Sequence, residues 1–258
     1  MVEVELGGIL EEKLRRLVEL GLYSSLSEAV RDAIRRLLEH LDLRSIALKL
    51  YLNTNASFQY VTEFAEMSYD DMIEFLMSRG IVPLLGIVSD RDTASLDPSR
   101  EYVLDPFTLY TMYRADMYKF LEVLVDRDYV FLAPSSISSW AEAIFFKRLT
   151  RYLEHHDILK FFNVDRVEVP GFKAKLTLHE QYAIFYATKH KNCILLSDDV
   201  RTREYARSLG VSSLSSISVL YTLREEFKRE ELEDVIYRLK AIPLKIPDSV
   251  LEALGIVV

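Results

Sequence analysis

Hydrophobic residues in the second half of the chain form short strand-like runs that alternate with longer helical stretches. The runs lie at residues 102–104, 129–132, 167–169, 194–196 and 211–214. Alternation of this kind is typical of a parallel sheet with helices on both of its faces. The pattern therefore predicts an α/β domain in residues 96–258.

The chain before this domain has a mainly helical pattern after a short strand-like start. Apolar and acidic residues alternate over residues 2–6, and two amphipathic helices follow, the second opened by a capping pair formed by Ser25 and Glu28. The pattern then changes to three shorter helical pieces, of which Ser57 and Ser68 can cap two. We therefore expect a mainly helical N-terminal region.

These patterns divide the chain into three segments. Residues 1–44, a strand and two helices, are too few to bury a core alone, so we expect them to form a homodimer. Residues 45–95 are predicted to form a second helical module. Residues 86–100 contain few large apolar side chains after Val88, and this composition predicts a linker into the α/β domain.

Charge and composition narrow the classes of partner. The net charge of -8 disfavours a broad electrostatic contact with nucleic acid. A single cysteine, Cys193, excludes an intramolecular disulfide and fits a reducing compartment. No apolar stretch reaches the roughly 18 to 20 residues of a membrane-spanning helix, and the acidic start does not have the charge of a secretory leader. We therefore predict a cytoplasmic protein without a membrane partner.

Acidic residues follow the junctions between predicted strands and helices. They are Asp105, Glu142, Glu180, Asp198 and Asp199. Each also has an ordinary structural explanation, because Asp105 and Asp199 can cap helices, and Glu142 and Glu180 can complete capping boxes. Taken one at a time, these acids therefore do not establish a catalytic site.

Taken together, the acids indicate more than capping. The carboxyl ends of parallel strands share one edge of a sheet, and carboxylates gathered there repel one another unless a cation lies among them. Hard divalent ions suit such oxygen ligands, and two of them about 4 Å apart can promote hydrolysis of a phosphodiester. The chain has no His or Cys spacing typical of a zinc site.

The second half of the chain resembles the PIN-domain nucleases, in particular the VapC-like toxins, over nearly all of residues 101–258. The motifs that carry the resemblance are Tyr102-Val103-Leu104-Asp105, Ser139-Trp140-Ala141-Glu142, Leu178-His179-Glu180 and Leu195-Leu196-Ser197-Asp198-Asp199. The resemblance implies a Mg2+- or Mn2+-dependent endoribonuclease acting on RNA. The implied metal-binding and catalytic acids are Asp105, Glu142, Glu180 and Asp199, with Asp198 as a further metal ligand and Ser197 in a supporting role.

The N-terminal region resembles two kinds of antitoxin. Residues 2–41 resemble the ribbon-helix-helix family of DNA-binding antitoxins and repressors, chiefly in their two helices. Glu3 and Glu5 would place four carboxylates on the DNA-facing ribbon of a dimer, which disfavours DNA reading. Residues 46–81 resemble small helix-turn-helix antitoxins, and a helical hairpin that packs on a neighbour is the alternative interpretation.

Antitoxin-like modules in front of a nuclease-like domain suggest a fused toxin–antitoxin pair whose nuclease is autoinhibited. In separate pairs of this type the antitoxin often offers an arginine to the acidic site, so Arg91 and Arg100 are the candidate inhibitory arginines. Two alternatives stay open from the sequence. One is a dimeric DNA-binding regulator with an inactive PIN domain, and the other is an inactive assembly protein.

Overall fold

A computed structural model describes residues 7–139, 151–164 and 175–256 of the chain. The chain divides into two compact units, Met1–Ile46 and Ala47–Val258. Within the described residues, none of the helices combines the length and apolar character needed to cross a membrane.

The first unit contains helices α1 (Gly8–Glu19) and α2 (Leu26–His40). As predicted, Ser25 caps α2, since its hydroxyl oxygen accepts a hydrogen bond from the Glu28 N–H. The loop between the two helices is joined to α2 by the Tyr23 hydroxyl, which donates to the Asp32 carboxylate at 2.6 Å. The strand predicted at residues 2–6, with Glu3 and Glu5, lies outside the described residues.

Three short helices lead into the second unit: α3 (Leu43–Asn53), α4 (Phe58–Phe64) and α5 (Tyr69–Met77). The predicted caps are confirmed, because the side chains of Ser57 and Ser68 accept hydrogen bonds from the N–H groups of Tyr60 and Asp71. These helices therefore begin where local sequence signals place them.

The core of the second unit is a five-stranded sheet in the order β3-β2-β1-β4-β5, with every pairing parallel. The strands are β1 (Glu101–Leu104), β2 (Val130–Pro134), β3 (Lys160–Phe162), β4 (Cys193–Leu196) and β5 (Ser213–Leu214). The predicted fold class, a parallel sheet flanked by helices and preceded by a helical region, is confirmed. The sequence pattern missed β3, and the strand predicted at residues 167–169 lies outside the described residues.

Helices cover both faces of this sheet. They are α6 (Pro106–Arg114), α7 (Tyr118–Val125), α8 (Ser136–Ser139), α9 (Leu178–Lys189), α10 (Val200–Ser208), α11 (Ile217–Leu223), α12 (Arg229–Ala241) and α13 (Asp248–Ala253). Successive strand side chains point to opposite faces. Accordingly, Leu104 and Leu196 join one buried apolar cluster, while Val103 and Leu195 join another.

Residues 47–95 share the core of the α/β part of the chain. Phe58, Met72 and Leu85 are fully buried in the same apolar cluster as Leu104 and Leu239. No boundary between compact units therefore falls near residue 95. The assignment of segments 1–44, 45–95 and 96–258 as three separate modules stays a prediction.

Residues 86–100 do not form the predicted linker, because part of this stretch is buried against the rest of the unit. Ile87 is 1% exposed and Asp92 is 0% exposed. Gly86 has a φ of +81°, and a Cβ atom there would lie 2.4 Å from the Lys245 carbonyl oxygen. Only glycine therefore fits this close approach to Lys245. The Gly86 N–H also donates to the Asp198 carbonyl oxygen at 2.8 Å, and this bond joins the stretch to the residues that follow β4.

Candidate active site

Four of the predicted acids lie buried at the carboxyl end of the sheet or in the helix beside it. Asp105 follows β1, and Asp198 and Asp199 follow Ser197 at the end of β4. Leu104 pairs with Leu196, so these two strands end side by side. Glu180 lies in the first turn of α9, while Glu142 lies outside the described residues.

The structural explanation of the acids holds as well. The Asp105 carboxylate accepts the Thr108 N–H at 2.8 Å and caps α6. Glu180 completes a capping box with Thr177, and Asp199 Oδ1 accepts the N–H of Arg201 at 2.8 Å as the cap of α10. Each of these carboxylates therefore begins a helix and also lies at the site, so capping and chemistry are not exclusive alternatives.

Asp105 has one carboxylate oxygen engaged and one free of hydrogen bonds. Among the described residues, its buried Oδ2 atom has no hydrogen-bond partner. Burial raises the pKa of Asp105 to about 7, and the negative charge of Asp198 adds to the effect. An unpartnered buried carboxylate oxygen is costly unless it is protonated or binds a cation.

Glu180 accepts hydrogen bonds at both of its carboxylate oxygens. Oε2 accepts the Ser57 hydroxyl at 2.8 Å and the Thr177 N–H at 2.7 Å, and Oε1 accepts the Thr202 hydroxyl at 2.5 Å. Burial raises the pKa of Glu180 to about 8, together with the charges of Asp199 and Asp105. The charges of Asp199 and Asp105 thus act on Glu180 together with its burial.

Asp198 and Asp199 are adjacent in sequence but have different surroundings. Asp198 Oδ1 accepts the Ser215 hydroxyl at 2.7 Å and the Ser216 N–H at 2.9 Å, and its Oδ2 accepts the Thr111 hydroxyl. Asp199 instead accepts the Phe58 N–H at Oδ2, and burial raises its pKa. The Asp198 carboxylate therefore accepts hydrogen bonds from α6 and from the residues that follow β5, whereas the Asp199 carboxylate is in contact with α4.

Residues 56–59, which we call the covering segment, lie directly on the acids and are fully buried. The Ser57 N–H donates to the Lys175 carbonyl at 3.0 Å, and the Gln59 side-chain amide donates to the Thr177 hydroxyl at 3.0 Å. With the Ser57 hydroxyl on Glu180 and the Phe58 N–H on Asp199, these bonds fix the N-terminus of α4 over the site.

Ser197 and a buried arginine complete the end of β4. The Ser197 hydroxyl lies 3.4 Å from the Asp199 carbonyl oxygen, while the Ser197 carbonyl accepts Arg203 Nη1 at 2.6 Å. Arg203 also pairs with Asp92 at 3.3 Å and donates to the Gly86 carbonyl. Burial alone would raise the pKa of Asp92, but the Arg203 charge and the hydrogen bonds to the carboxylate hold it at about 2.

The two candidate inhibitory arginines lie elsewhere. Arg91 and Arg100 line a cavity of about 550 Å³ together with Arg207. Arg100 Nη1 lies 3.3 Å from the Lys191 carbonyl oxygen, to which it donates. Among the described residues, no recorded contact joins either arginine to the acids. The arginine that does contact the covering segment is Arg201, whose Nη1 donates to the Ala56 carbonyl at 2.7 Å.

The donor set suits a hard divalent ion, but its oxygens are not arranged for one. Carboxylate oxygens are the preferred ligands of such ions, and the unpartnered Asp105 Oδ2 is one of them. Two others, Glu180 Oε2 and Asp199 Oδ2, accept hydrogen bonds from the covering segment. In keeping with this, the described part of the chain holds no group of three or more His, Cys, Asp or Glu side chains placed to bind a metal ion.

Sequence reasoning missed the covering role of the residues around Ser57. Ser57 was expected only as a helix cap, and Arg201 and Thr202 carried no signal beyond their position after Asp199. Ser57 and Glu180 are 123 positions apart, so no local pattern connects them.

Comparison with known proteins gives one match that bears on this site. Residues 146–255 match a family model described as PIN domain, and the match supports a PIN domain in this part of the chain. A PIN domain suggests a nuclease-type function, and PIN domains generally depend on divalent metals. The match also suggests that the substrate is RNA. The matched residues include Glu180, Asp198 and Asp199, but Asp105 precedes them.

Searches of curated proteins and of solved structures gave no significant match. The PIN-domain match does not reach residues 1–145, so the resemblances of the N-terminal region to antitoxins stay predictions.

Proposed function

We propose that this protein is a divalent-metal-dependent endoribonuclease of the VapC-like toxin type whose site is covered by its own N-terminal region. The observation that carries the proposal is the contact of the covering segment with Glu180 and Asp199 at the carboxyl end of the parallel sheet. The acids in this role are Asp105, Glu180 and Asp199, joined by Glu142 in the sequence motif. Asp198 and Ser197 support the end of β4.

Mg2+ or Mn2+ is the proposed cofactor, held by the carboxylate oxygens of these acids. When bound there, such an ion would supply Lewis acidity for the hydrolysis of a phosphodiester. The chain itself would contribute the position of the carboxylates, since Asp105 follows β1, Asp199 follows the end of β4 and Glu180 lies in the first turn of α9, all three buried.

In the closed site, hydrogen-bond donors of the covering segment stabilise the carboxylates that a cation would otherwise stabilise. Buried carboxylates need hydrogen-bond donors or positive charge, and here the Ser57 hydroxyl and the Phe58 N–H are such donors. A metal ion would compete for the same oxygens, Glu180 Oε2 and Asp199 Oδ2. We therefore expect the closed protein to bind the ion weakly and to cleave RNA slowly.

Substitution at Ser57 tests this function in the full-length chain. Ser57→Asp keeps a residue that caps helices well, but it replaces a donor to Glu180 by a second carboxylate. Loss of a buried hydrogen bond costs about 1–3 kcal/mol, so we expect Mn2+-dependent cleavage of single-stranded RNA to rise roughly tenfold or more. The measurement is the initial rate on a labelled RNA with Mn2+ and with EDTA.

Ser68→Asp is the matched control, because Ser68 caps α5 and donates to the exposed Asp71 at 2.7 Å in the same way. It should leave the cleavage rate unchanged. Adding Asp105→Asn to the Ser57→Asp chain should lower the rate by about 100- to 1000-fold, the usual effect of losing a group that stabilises developing charge. A Ser57→Asp chain that is folded and cleaves RNA no faster than the Ser68→Asp chain contradicts autoinhibition, and metal-independent cleavage contradicts the mechanism.

We further propose that residues 1–44 form a homodimer. In the described part of this module, α1 has no buried residue and α2 buries only Ala29. The large apolar side chains Ile34, Leu37, Leu38 and Leu41 are 41–60% exposed, as expected for a face that a second copy covers. The alternative function, a DNA-binding regulator, is not favoured, since Arg15, Arg16 and Arg36 pair with carboxylates of their own helices.

A further inference from the structure

Arg201 stands between the acids and the covering segment. It is the second residue of α10 and follows Asp199 by two positions at the carboxyl end of β4. Its Nη1 donates to the Ala56 carbonyl at 2.7 Å, and its guanidinium carbon lies 4.2 Å from the centroid of the Tyr51 ring. Among the described residues, the Arg201 side chain therefore contacts α3 and the covering segment, while its positive charge opposes the rise in the pKa of Asp199.

The other arginines of α10 differ from Arg201 in this respect. Arg203 is fully buried and is committed to Asp92 and to the carbonyls of Ser197 and Gly86. Arg207 pairs with Asp92 at 2.8 Å. Among the described residues, Arg201 has no carboxylate within ion-pair distance. If the covering segment moves away, Arg203 and Arg207 keep their partners, whereas Arg201 loses the Ala56 carbonyl.

When the covering segment is absent, RNA can approach the acids only if a nearby positive charge offsets their repulsion. The chain has a net charge of -8, and the acids would repel the phosphates of an approaching RNA. A guanidinium has five donors in a planar fork that matches two phosphate oxygens, and a single carbonyl uses only part of that capacity. A phosphate is therefore a better partner for Arg201 than the Ala56 carbonyl.

We infer that Arg201 exchanges partners between the two states of the site. In the closed state it holds the covering segment through Ala56, and in the open state it binds a backbone phosphate of the RNA next to the bond that is cleaved. This inference rests on the proposed function, because it names the residue that positions the RNA at that site. When the covering segment leaves the site, the Arg201 guanidinium therefore becomes free to bind a phosphate at the same time.

RNA binding by an open but inactive protein tests the open state. The parent is the full-length chain with Ser57→Asp and Asp105→Asn, and the probe is a fluorescently labelled single-stranded RNA of mixed sequence in EDTA. Arg201→Ala should weaken binding roughly tenfold and lower the slope of log affinity against log salt by about 0.7, the value for one phosphate contact on a single strand. Arg201→Lys should restore the slope but only part of the affinity, because lysine has no planar fork.

Hydrogen exchange in the otherwise unchanged chain tests the closed state. Arg201→Ala should increase exchange at the amides of Ser57 and Phe58, because the covering segment loses its bond to α10. Arg100→Ala is the matched control for both measurements, since Arg100 also donates to a backbone carbonyl but lies outside the site. It should leave the exchange and the salt slope unchanged.

The outcomes separate this inference from the proposed function. Unchanged RNA affinity and salt slope in both Arg201 variants, while the Ser57→Asp chain still cleaves RNA with Mn2+, would overturn the role of Arg201 alone. Equal weakening by Arg100→Ala and Arg201→Ala would also overturn it, because the effect would then be general charge. A folded Ser57→Asp chain that neither binds nor cleaves RNA would overturn the proposed function and this inference together.

Discussion

At the scale of single residues, Asp105 and Glu180 are two carboxyl groups of the site whose pKa values are raised by burial. Asp105 and Glu180 are both fully buried, and the negative charge of a neighbouring acid raises each pKa further. Their pKa values of about 7 and about 8 lie well above the ordinary values of 3.8 and 4.5. The folded protein therefore binds more protons than the unfolded chain across the pH range between these values.

This difference predicts how stability depends on pH. Because the pKa values are raised on folding, the stabilising contribution is full below about pH 4 and is lost as the pH rises through 7 and 8. In EDTA we expect the free energy of unfolding, measured by urea titration, to fall between pH 5 and pH 8. Glu180→Gln should flatten part of this dependence.

Glu233→Gln is the control for the pH experiment, because Glu233 pairs with Arg229 on the exposed side of α12. It should leave the slope unchanged. A wild-type free energy of unfolding that rises over the same pH range, or an unchanged slope in Glu180→Gln, would contradict the assignment of raised pKa values to this cluster.

At the scale of elements, α10 joins the acidic site to the stretch that follows α5. Arg203 projects from this helix to Asp92 and to the backbone of Gly86, and the side chains of both charged residues are almost fully buried. The Asp92 carbonyl in turn accepts the Ser215 N–H at 2.7 Å, next to the hydroxyl that holds Asp198. The stretch around residues 86–92 is thus bound to the end of the sheet by polar contacts as well as by its apolar side chains.

Removal of this arginine predicts a large loss of stability. Arg203→Met preserves much of the side-chain volume but leaves the buried Asp92 with only Arg207 as a charged partner, so the free energy of unfolding should fall by about 3 kcal/mol or more. The control, Arg238→Met, removes exposed pairs with Asp234 and Asp116 and should cost less than about 1 kcal/mol. Urea unfolding monitored by circular dichroism measures both. Equal losses in the two variants would contradict a special stabilising role of the buried Arg203–Asp92 pair.

At the scale of the whole molecule, the parallel sheet with its helices and residues 47–95 have one core. Phe58 and Phe107 have ring centroids 5.0 Å apart, and Met72, Leu76 and Leu85 are fully buried in the same cluster. Truncating one such side chain to alanine typically costs about 2–5 kcal/mol, and whole domains are stable by only about 5–15 kcal/mol. The region that covers the site is thus also part of what keeps the domain folded.

Two truncations are therefore expected to behave differently. Deletion of residues 1–46 removes one compact unit and should leave the thermal midpoint of the remainder within a few degrees of its original value. Deletion of residues 1–95 removes core side chains and should give an insoluble or unfolded product. Light scattering on the first truncation also tests the proposed dimer, since the protein should become monomeric. A folded, soluble product from the second truncation would contradict the shared core.

The sequence by itself determined what is encoded within a few neighbouring residues. Helix starts at Ser57, Ser68 and Asp105 follow from a side-chain oxygen that reaches an N–H two or three residues on, and the parallel sheet follows from apolar runs between helices. The location of Asp105, Asp198 and Asp199 at one edge could also be predicted, because strand ends in such a sheet share that edge.

Only the tertiary structure decided which distant residues meet. Ser57 caps its own helix and also donates to Glu180, while Arg203 reaches Asp92, 111 positions earlier in the chain. Such pairs depend on how the whole chain closes around its core, and no periodicity or spacing in the sequence records them. For the same reason the arginine beside the covering segment is Arg201, whereas the residues chosen from the expected linker, Arg91 and Arg100, line a separate cavity.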